Sequence, residues 1–102
     1  DSRTARRSHF AYGISKTALS GLTRSLALEL APHIQVNEIL LGVILPAAHV
    51  PLDRPRDDIE IDLGPADRMG TLNEVANAMM MLISNDFITG ESVNVDGGRH
   101  IN

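Results

Sequence analysis

The sequence predicts an α/β fold: the C-terminal half of a doubly wound parallel-sheet domain. Three observations predict it. Helical and strand-like periodicities alternate as helix, strand, loop, helix, strand, and that alternation implies parallel strands. The chain has 102 residues, 43% hydrophobic and 22% charged, which suits one soluble globular domain. Two parallel strands with two helices cannot cover both faces of a sheet, and parallel sheets are normally covered on both. The pattern therefore reads as residues 1–102 of one domain whose first half lies elsewhere. Aromatic residues are limited to Phe10, Tyr12 and Phe87, so an aliphatic core is expected.

Residues 1–9 are polar and basic without periodicity and read as a lead-in loop. From about Phe10 to Ala31 the pattern is helical, with Ile14, Ala18, Leu22 and Leu26 forming a stripe thickened by Leu19 and Leu30. Gly13 and Gly21 interrupt it at ~1 kcal/mol each relative to Ala, which invites a packing reason. Pro32 ends the helix, because the residue before a proline is pushed out of the α region. Residues 34–40, with Ile34, Val36, Ile39 and Leu40, suit a short strand broken by Gly42. Val43-Ile44-Leu45 is a second apolar patch, closed by Pro46.

Residues 46–68 hold four of the five prolines, at Pro46, Pro51, Pro55 and Pro65. They read as a long mobile loop, expected to bind or cover substrate. Thr71 and Glu74 form a capping box ahead of a helix from Leu72 to Ser84. Val75, Met79, Leu82 and Ile83 share one face of it, and Met79-Met80-Met81 reads as adaptable core filling. The alternating segment Ser92–Asp96 reads as a strand ended by Gly97-Gly98.

Composition removes several function classes. No apolar run is long enough to span a membrane, and the first residues lack the apolar core of a secretion signal. Without cysteine there is no disulfide framework, thiolate zinc site or cysteine nucleophile. A net charge of −4 argues against a nucleic-acid surface. His9, His33, His49 and His100 stand at no ligand spacing, so no metal site is expected. The acids Asp57, Asp58, Glu60 and Asp62 match no calcium-loop pattern and read as solvated charge. Ser15 and His9 lack the third partner of a hydrolase triad.

The sharpest local feature is Tyr12-Gly13-Ile14-Ser15-Lys16. Residues four apart share a helix face, so a phenol and an ammonium stand side by side. A neighbouring cation favours the phenolate and lowers the phenol pKa from about 10. Such a phenol can exchange a proton at neutral pH, as carbonyl or imine reduction requires. The plainer alternative is a half-buried tyrosine beside a solvated lysine. Lys16 is the chain's single lysine, and the small residues Gly13, Ser15 and Ala18 leave room for a ligand.

From Tyr12 to Gly98 the chain resembles the C-terminal half of a short-chain dehydrogenase/reductase, a Rossmann-like family. The resemblance rests on pieces in order: Tyr12 and Lys16; the helix text Ala18-Leu19 through Leu30-Ala31; Val36-Asn37; and Thr89-Gly90-Glu91-Ser92 leading to Val95-Asp96-Gly97-Gly98. It implies Tyr12 as general acid/base, and Lys16 as the residue that lowers its pKa and holds the nicotinamide ribose. It also implies cofactor contacts at Gly42, Val43 and Ile44, the last two through backbone groups facing the carboxamide. The family's Pro-Gly is here Leu41-Gly42, and a phosphate-contacting Thr is replaced by Pro46. Those departures, with Leu30-Ala31-Pro32-His33 and Asp96-Gly97-Gly98-Arg99-His100, are similar to pteridine reductases and dihydromonapterin reductase-like members.

The resemblance thus implies an oxidoreductase using NADP(H), or alternatively NAD(H), on a pterin or other small carbonyl or imine substrate. It implies a cytoplasmic homo-oligomer, a tetramer with two-fold axes, without nucleic-acid or membrane partners. The family's glycine-rich turn has no counterpart in these residues, and the place of its catalytic Ser or Asp falls ahead of Asp1. The contrasting expectation is a truncated, non-catalytic piece with a structural or assembly role.

Overall fold

The computed structural model describes residues 2–46 and 62–101, and for residues 2–12 it describes the helical backbone. The elements are α1 (Ser2–Leu30), β1 (Glu38–Leu41), α2 (Leu72–Ser84) and β2 (Ser92–Val95), followed by a single 3₁₀ turn at Arg99–Ile101. The two strands pair with each other. Glu38 N–H bonds the Glu91 carbonyl at 2.9 Å and Gly42 N–H bonds the Val95 carbonyl at 3.0 Å. The same residue offset at both ends makes the pairing parallel, as the α/β alternation requires. The chain divides into two compact units: Asp1–Glu38 with Phe87–Ser92, and Ile39–Asp86 with Val93–Asn102.

In the first unit, α1 begins at Ser2. The expected lead-in loop is therefore helix. Residues 2–12 contain neither Gly nor Pro and are rich in Ala and Arg, which are good helix formers without any apolar period. The expected stop holds: α1 ends at Leu30, and Ala31-Pro32 is a cis peptide.

The inner face of α1 differs from the predicted stripe. Thr23 and Ala27 are buried, and Lys16, Ser20 and Leu30 are half-buried. Ile14, Leu19, Leu22 and Leu26 are exposed. Small side chains win the inner face because backbone comes close there. A Cβ on Gly90, which has φ +78°, would stand 3.4 Å from the Ala27 Cβ. Thr23 closes its own hydroxyl onto the Leu19 carbonyl at 3.1 Å.

The strand expected over 34–40 begins only at Glu38. Residues 35–37 instead bond segment 88–91, largely through side chains. Gln35 Nε2 and Asn37 Nδ2 both donate to the Ile88 carbonyl, at 2.7 and 3.0 Å. Glu91 N–H donates to Asn37 Oδ1 at 3.0 Å, and Val36 N–H donates to Thr89 Oγ1 at 3.1 Å.

In the second unit, α2 has the predicted bounds and capping box: Thr71 Oγ1 accepts from Glu74 N–H, and Glu74 Oε1 accepts from Thr71 N–H. Its half-buried face is Val75, Ala78 and Leu82. Met79, Met80, Met81 and Ile83 are exposed, so the methionine run does not fill a core here. Among the described residues Ala27 is the one buried apolar residue, and the expected aliphatic core is thin.

Of the expected mobile loop, residues 47–61 lie outside the described residues. Its last part, residues 62–68, makes hydrogen bonds within this unit. Ala66 N–H bonds the Gly97 carbonyl at 3.0 Å, and Gly64 N–H bonds Asp62 Oδ1 at 2.9 Å. Positive φ at Gly64, Gly97 and Gly98 allows these backbones to meet. Among the described residues no helix is long and apolar enough to cross a membrane.

Candidate active site

Tyr12 and Lys16 both lie on α1, one helical turn apart, so the backbone register puts them on one face. The Tyr12 side chain lies outside the described residues. Lys16 is half-buried and starts the inner stripe that continues through Ser20, Thr23 and Ala27. The continuous helix through Gly13 and Gly21 keeps this register, and a Cβ at either glycine would meet nothing within 4 Å.

Gly42, Val43 and Ile44 belong to the other unit. A Cβ on Gly42 would stand 2.7 Å from the Asp96 Cβ and 2.8 Å from its Cα. The glycine is thus accounted for by close approach to β2's end, without any ligand. The Val43 carbonyl accepts from Gly70 N–H at 2.9 Å, and Leu45 N–H donates to the Gly70 carbonyl at 2.8 Å. This is a parallel bridge between Ile44 and Gly70. In such a bridge the N–H and C=O of the central residue face the opposite side. Ile44 therefore offers its backbone groups away from Gly70, while the Val43 carbonyl is already engaged.

Three polar arrangements escaped the sequence reading. The first is Glu38, buried at 9% exposure. Ser92 Oγ donates to its Oε1 in a short hydrogen bond, and Oε2 is buried without a hydrogen-bond partner among the described residues. The Ser20 hydroxyl, then that of Ser92, hold this carboxyl below the usual glutamate range. Burial opposes them, and the Arg24 and Lys16 charges assist.

The second is Arg68, which grips Glu74 with two bonds of 2.8 Å. That grip, followed by the Thr71 N–H, brings the Glu74 pKa down to about 2. The third is Asp96, whose side chain is 6% exposed and pairs with His100 Nδ1 at 2.9 Å. Burial pushes the Asp96 carboxyl up, but bonds from the His100 ring and from the Gly98 and His100 N–H groups outweigh it. The net effect holds Asp96 below the usual range. Val43 lines a pocket with Arg68, Glu74, Asn94 and Asp96 in this unit.

A family model described as Enoyl-(Acyl carrier protein) reductase matches residues 2–100. The chain belongs to the short-chain dehydrogenase/reductase family. It is 40% identical over 92 residues to Tropinone reductase-like 3 from Erythroxylum coca, covering 85% of this chain and 35% of that protein. It is 35% identical over 96 residues to a Dihydromonapterin reductase from Escherichia coli, covering 91% of this chain and 38% of that protein. Among solved structures, FolM Alternative dihydrofolate reductase 1 from Brucella canis, complexed with NADP, matches with a TM-score of 0.72 and 37% identity. That match covers 91% of this chain and 35% of the other. The chain thus spans between 35% and 38% of the length of these curated relatives. The family and the Rossmann-like α/β class agree with the sequence reading.

Proposed function

We propose that this chain forms residues 1–102 of the C-terminal half of an NADP(H)-dependent short-chain reductase, acting on a pterin or another small carbonyl or imine. The observation that carries the reading is the Tyr12–Lys16 pair on one unbroken helix, in a chain similar to a dihydromonapterin reductase. The NADP bound by the Brucella canis relative supports the cofactor choice, with NAD(H) as the alternative.

The residues present fit a nicotinamide in part. Ile44 turns its N–H and C=O away from Gly70, where a carboxamide could use both. Lys16 offers an ammonium to ribose hydroxyls from a half-buried position. Gly42 packs closely against Asp96 and the Val43 carbonyl accepts from Gly70 N–H; together with Ile44, these residues are proposed to line the cofactor side of the loop.

When bound, the reduced nicotinamide supplies a hydride to the substrate carbon. Tyr12 gives its phenolic proton to the carbonyl oxygen or imine nitrogen, so hydride and proton together complete the reduction. The Lys16 ammonium stabilises the phenolate left behind. Bulk solvent then returns the proton.

In the full-length protein containing this chain, Tyr12→Phe should cut turnover by about 10²-fold or more while NADPH still binds. The measurement is NADPH oxidation with 7,8-dihydrobiopterin and with a small ketone panel, beside NADPH titration calorimetry. Turnover retained in Tyr12→Phe would sink this reading.

The exposed leucines of α1, with Leu28 at 83%, are to be covered either by further copies, for which a two-fold symmetric tetramer in a cytoplasmic setting is our proposal, or by the rest of the same protein, the alternative. Light scattering should give four chains per particle at micromolar concentration. A monomer would overturn the assembly while leaving the chemistry in place.

A further inference from the structure

After β1 the chain is held at one point by the Gly42 N–H bond to the Val95 carbonyl, at 3.0 Å. Beyond it, among the described residues, the backbone bonds of Val43 to Leu45 both go to Gly70. The Val43 carbonyl accepts from Gly70 N–H at 2.9 Å, and Leu45 N–H donates to the Gly70 carbonyl at 2.8 Å. The Ile44 side chain also rests there: a Cβ on Gly70 would stand 2.9 Å from Ile44 Cδ1. Where Gly70 is held therefore decides where the Ile44 backbone stands.

Gly70 is itself bracketed by one carboxylate. On the chain before it, Arg68 Nη1 donates to the Met69 carbonyl at 3.0 Å and to Glu74 Oε1 at 2.8 Å, and Arg68 Nη2 donates to Glu74 Oε2 at 2.8 Å. On the chain after it, Thr71 N–H and the Thr71 hydroxyl donate to the same Oε1, at 3.0 and 3.2 Å. Glu74 thus closes a hoop over residues 68–71, and the first turn of α2 anchors the hoop. Two parallel bonds between a guanidinium and a carboxylate fix direction as well as distance. With a pKa of about 2, Glu74 keeps its charge throughout the neutral range.

We propose that Arg68 and Glu74 are positioning residues for the dinucleotide: their ion pair latches Gly70, and Gly70 holds Val43 to Leu45 in the conformation that presents the Ile44 N–H and C=O. This rests on the cofactor reading of Ile44 given above. Neither Arg68 nor Glu74 has to touch the dinucleotide. A loop that spends part of its time outside the binding conformation binds with an affinity lowered by that fraction. The latch therefore acts on dinucleotide binding, while the hydride and proton steps depend on other groups.

Two readouts on the full-length protein test it, and the first needs no cofactor. In Arg68→Met and in Glu74→Gln, the Leu45 and Gly70 amides should exchange hydrogen about two- to fivefold faster, the scale of one partly exposed charged pair. The Gly42 amide, bonded to β2, should keep its parent rate. In the second readout the KM for NADPH should rise by about the same factor with kcat unchanged. The double variant should rise no further than the larger single, because either change opens the same latch. Exchange unmoved at Leu45 and Gly70 overturns the latch, and so does exchange that quickens equally at Gly42. A higher KM without faster exchange means that Arg68 meets the dinucleotide itself, which also overturns it. Faster exchange with an unchanged KM overturns the positioning role and leaves a structural clasp. A parent protein that binds neither NADPH nor NADH overturns the reductase reading and the positioning role together, and exchange then still decides whether Arg68 holds Gly70.

Discussion

The two compact units of the chain are held by different means. In the first, distant segments meet through polar side chains: Asn37, Gln35 and Thr89 tie 35–37 to 88–91. In the second, close backbone contacts dominate. Gly42 admits Asp96, Gly64 admits Arg99, and Gly97 admits Ala66. The first unit carries the candidate proton-transfer pair on a long helix whose leucines face outward. The second carries the loop expected at the cofactor. The difference teaches how to read family text. Val36-Asn37 and Thr89-Gly90 bond each other, while Gly42 and Asp96 are shaped to each other. Much of what looks like a functional signature is a pair of structural contacts made once the chain folds.

The comparison breaks or sharpens by substitution. Gly42→Ala should have the largest effect on stability. The new Cβ meets Asp96 Cβ and Cα, neither of which can swing away, so backbone must shift at a cost of about 1–3 kcal/mol. The thermal midpoint should fall by the same amount with and without saturating NADPH. A variant as stable as the parent that loses only NADPH affinity would return Gly42 to the cofactor and weaken the structural account. Asn37→Ala should cost less, about 1–2 kcal/mol. It removes the Nδ2–Ile88 bond and leaves the Glu91 N–H without its acceptor. Urea unfolding of Asn37→Ala beside Asn37→Asp, which keeps an acceptor for Glu91, measures it. Equal stabilities of all three proteins would show that this clasp carries nothing.

What was legible in the sequence follows the range of the interaction. The α2 helix was legible to the residue because Thr71 and Glu74 signal its start within one turn. The α/β class was legible from alternation, and the end of α1 from Pro32. The inner face of α1 was not legible. Leu22 and Leu26 outweigh Thr23 and Ala27 in hydrophobicity, yet the close approach of Gly90 admits only small side chains. The start of α1 was missed because a helix without an apolar period carries no amphipathic signal. At the candidate site, Tyr12 and Lys16 were legible as a four-residue spacing. Glu38 was not, because a charged residue in strand phase is ordinarily read as exposed. Its partners Ser20 and Ser92 are too far apart in sequence to announce themselves.

The smallest expected effect separates an exposed carboxylate from the buried one. Glu74 is gripped by Arg68 and bonded by Thr71 N–H, with a pKa of about 2 against an ordinary value of 4.5. A carboxylate whose pKa is lowered on folding adds stability above its unfolded value, and that stability is lost as pH falls through the folded value. The contribution of Glu74 should therefore be complete above about pH 5 and should fade between 4.5 and 2. Glu74→Gln isolates the charge, because glutamine also serves at the third position of a capping box. The gap in thermal midpoint between parent and variant should be constant above about pH 5, narrow toward pH 2, and shrink in high salt because both groups face solvent. A gap that stays constant down to pH 2 would show that the Arg68 grip does not act through charge. The second unit would then rest on its backbone contacts and its capping box alone.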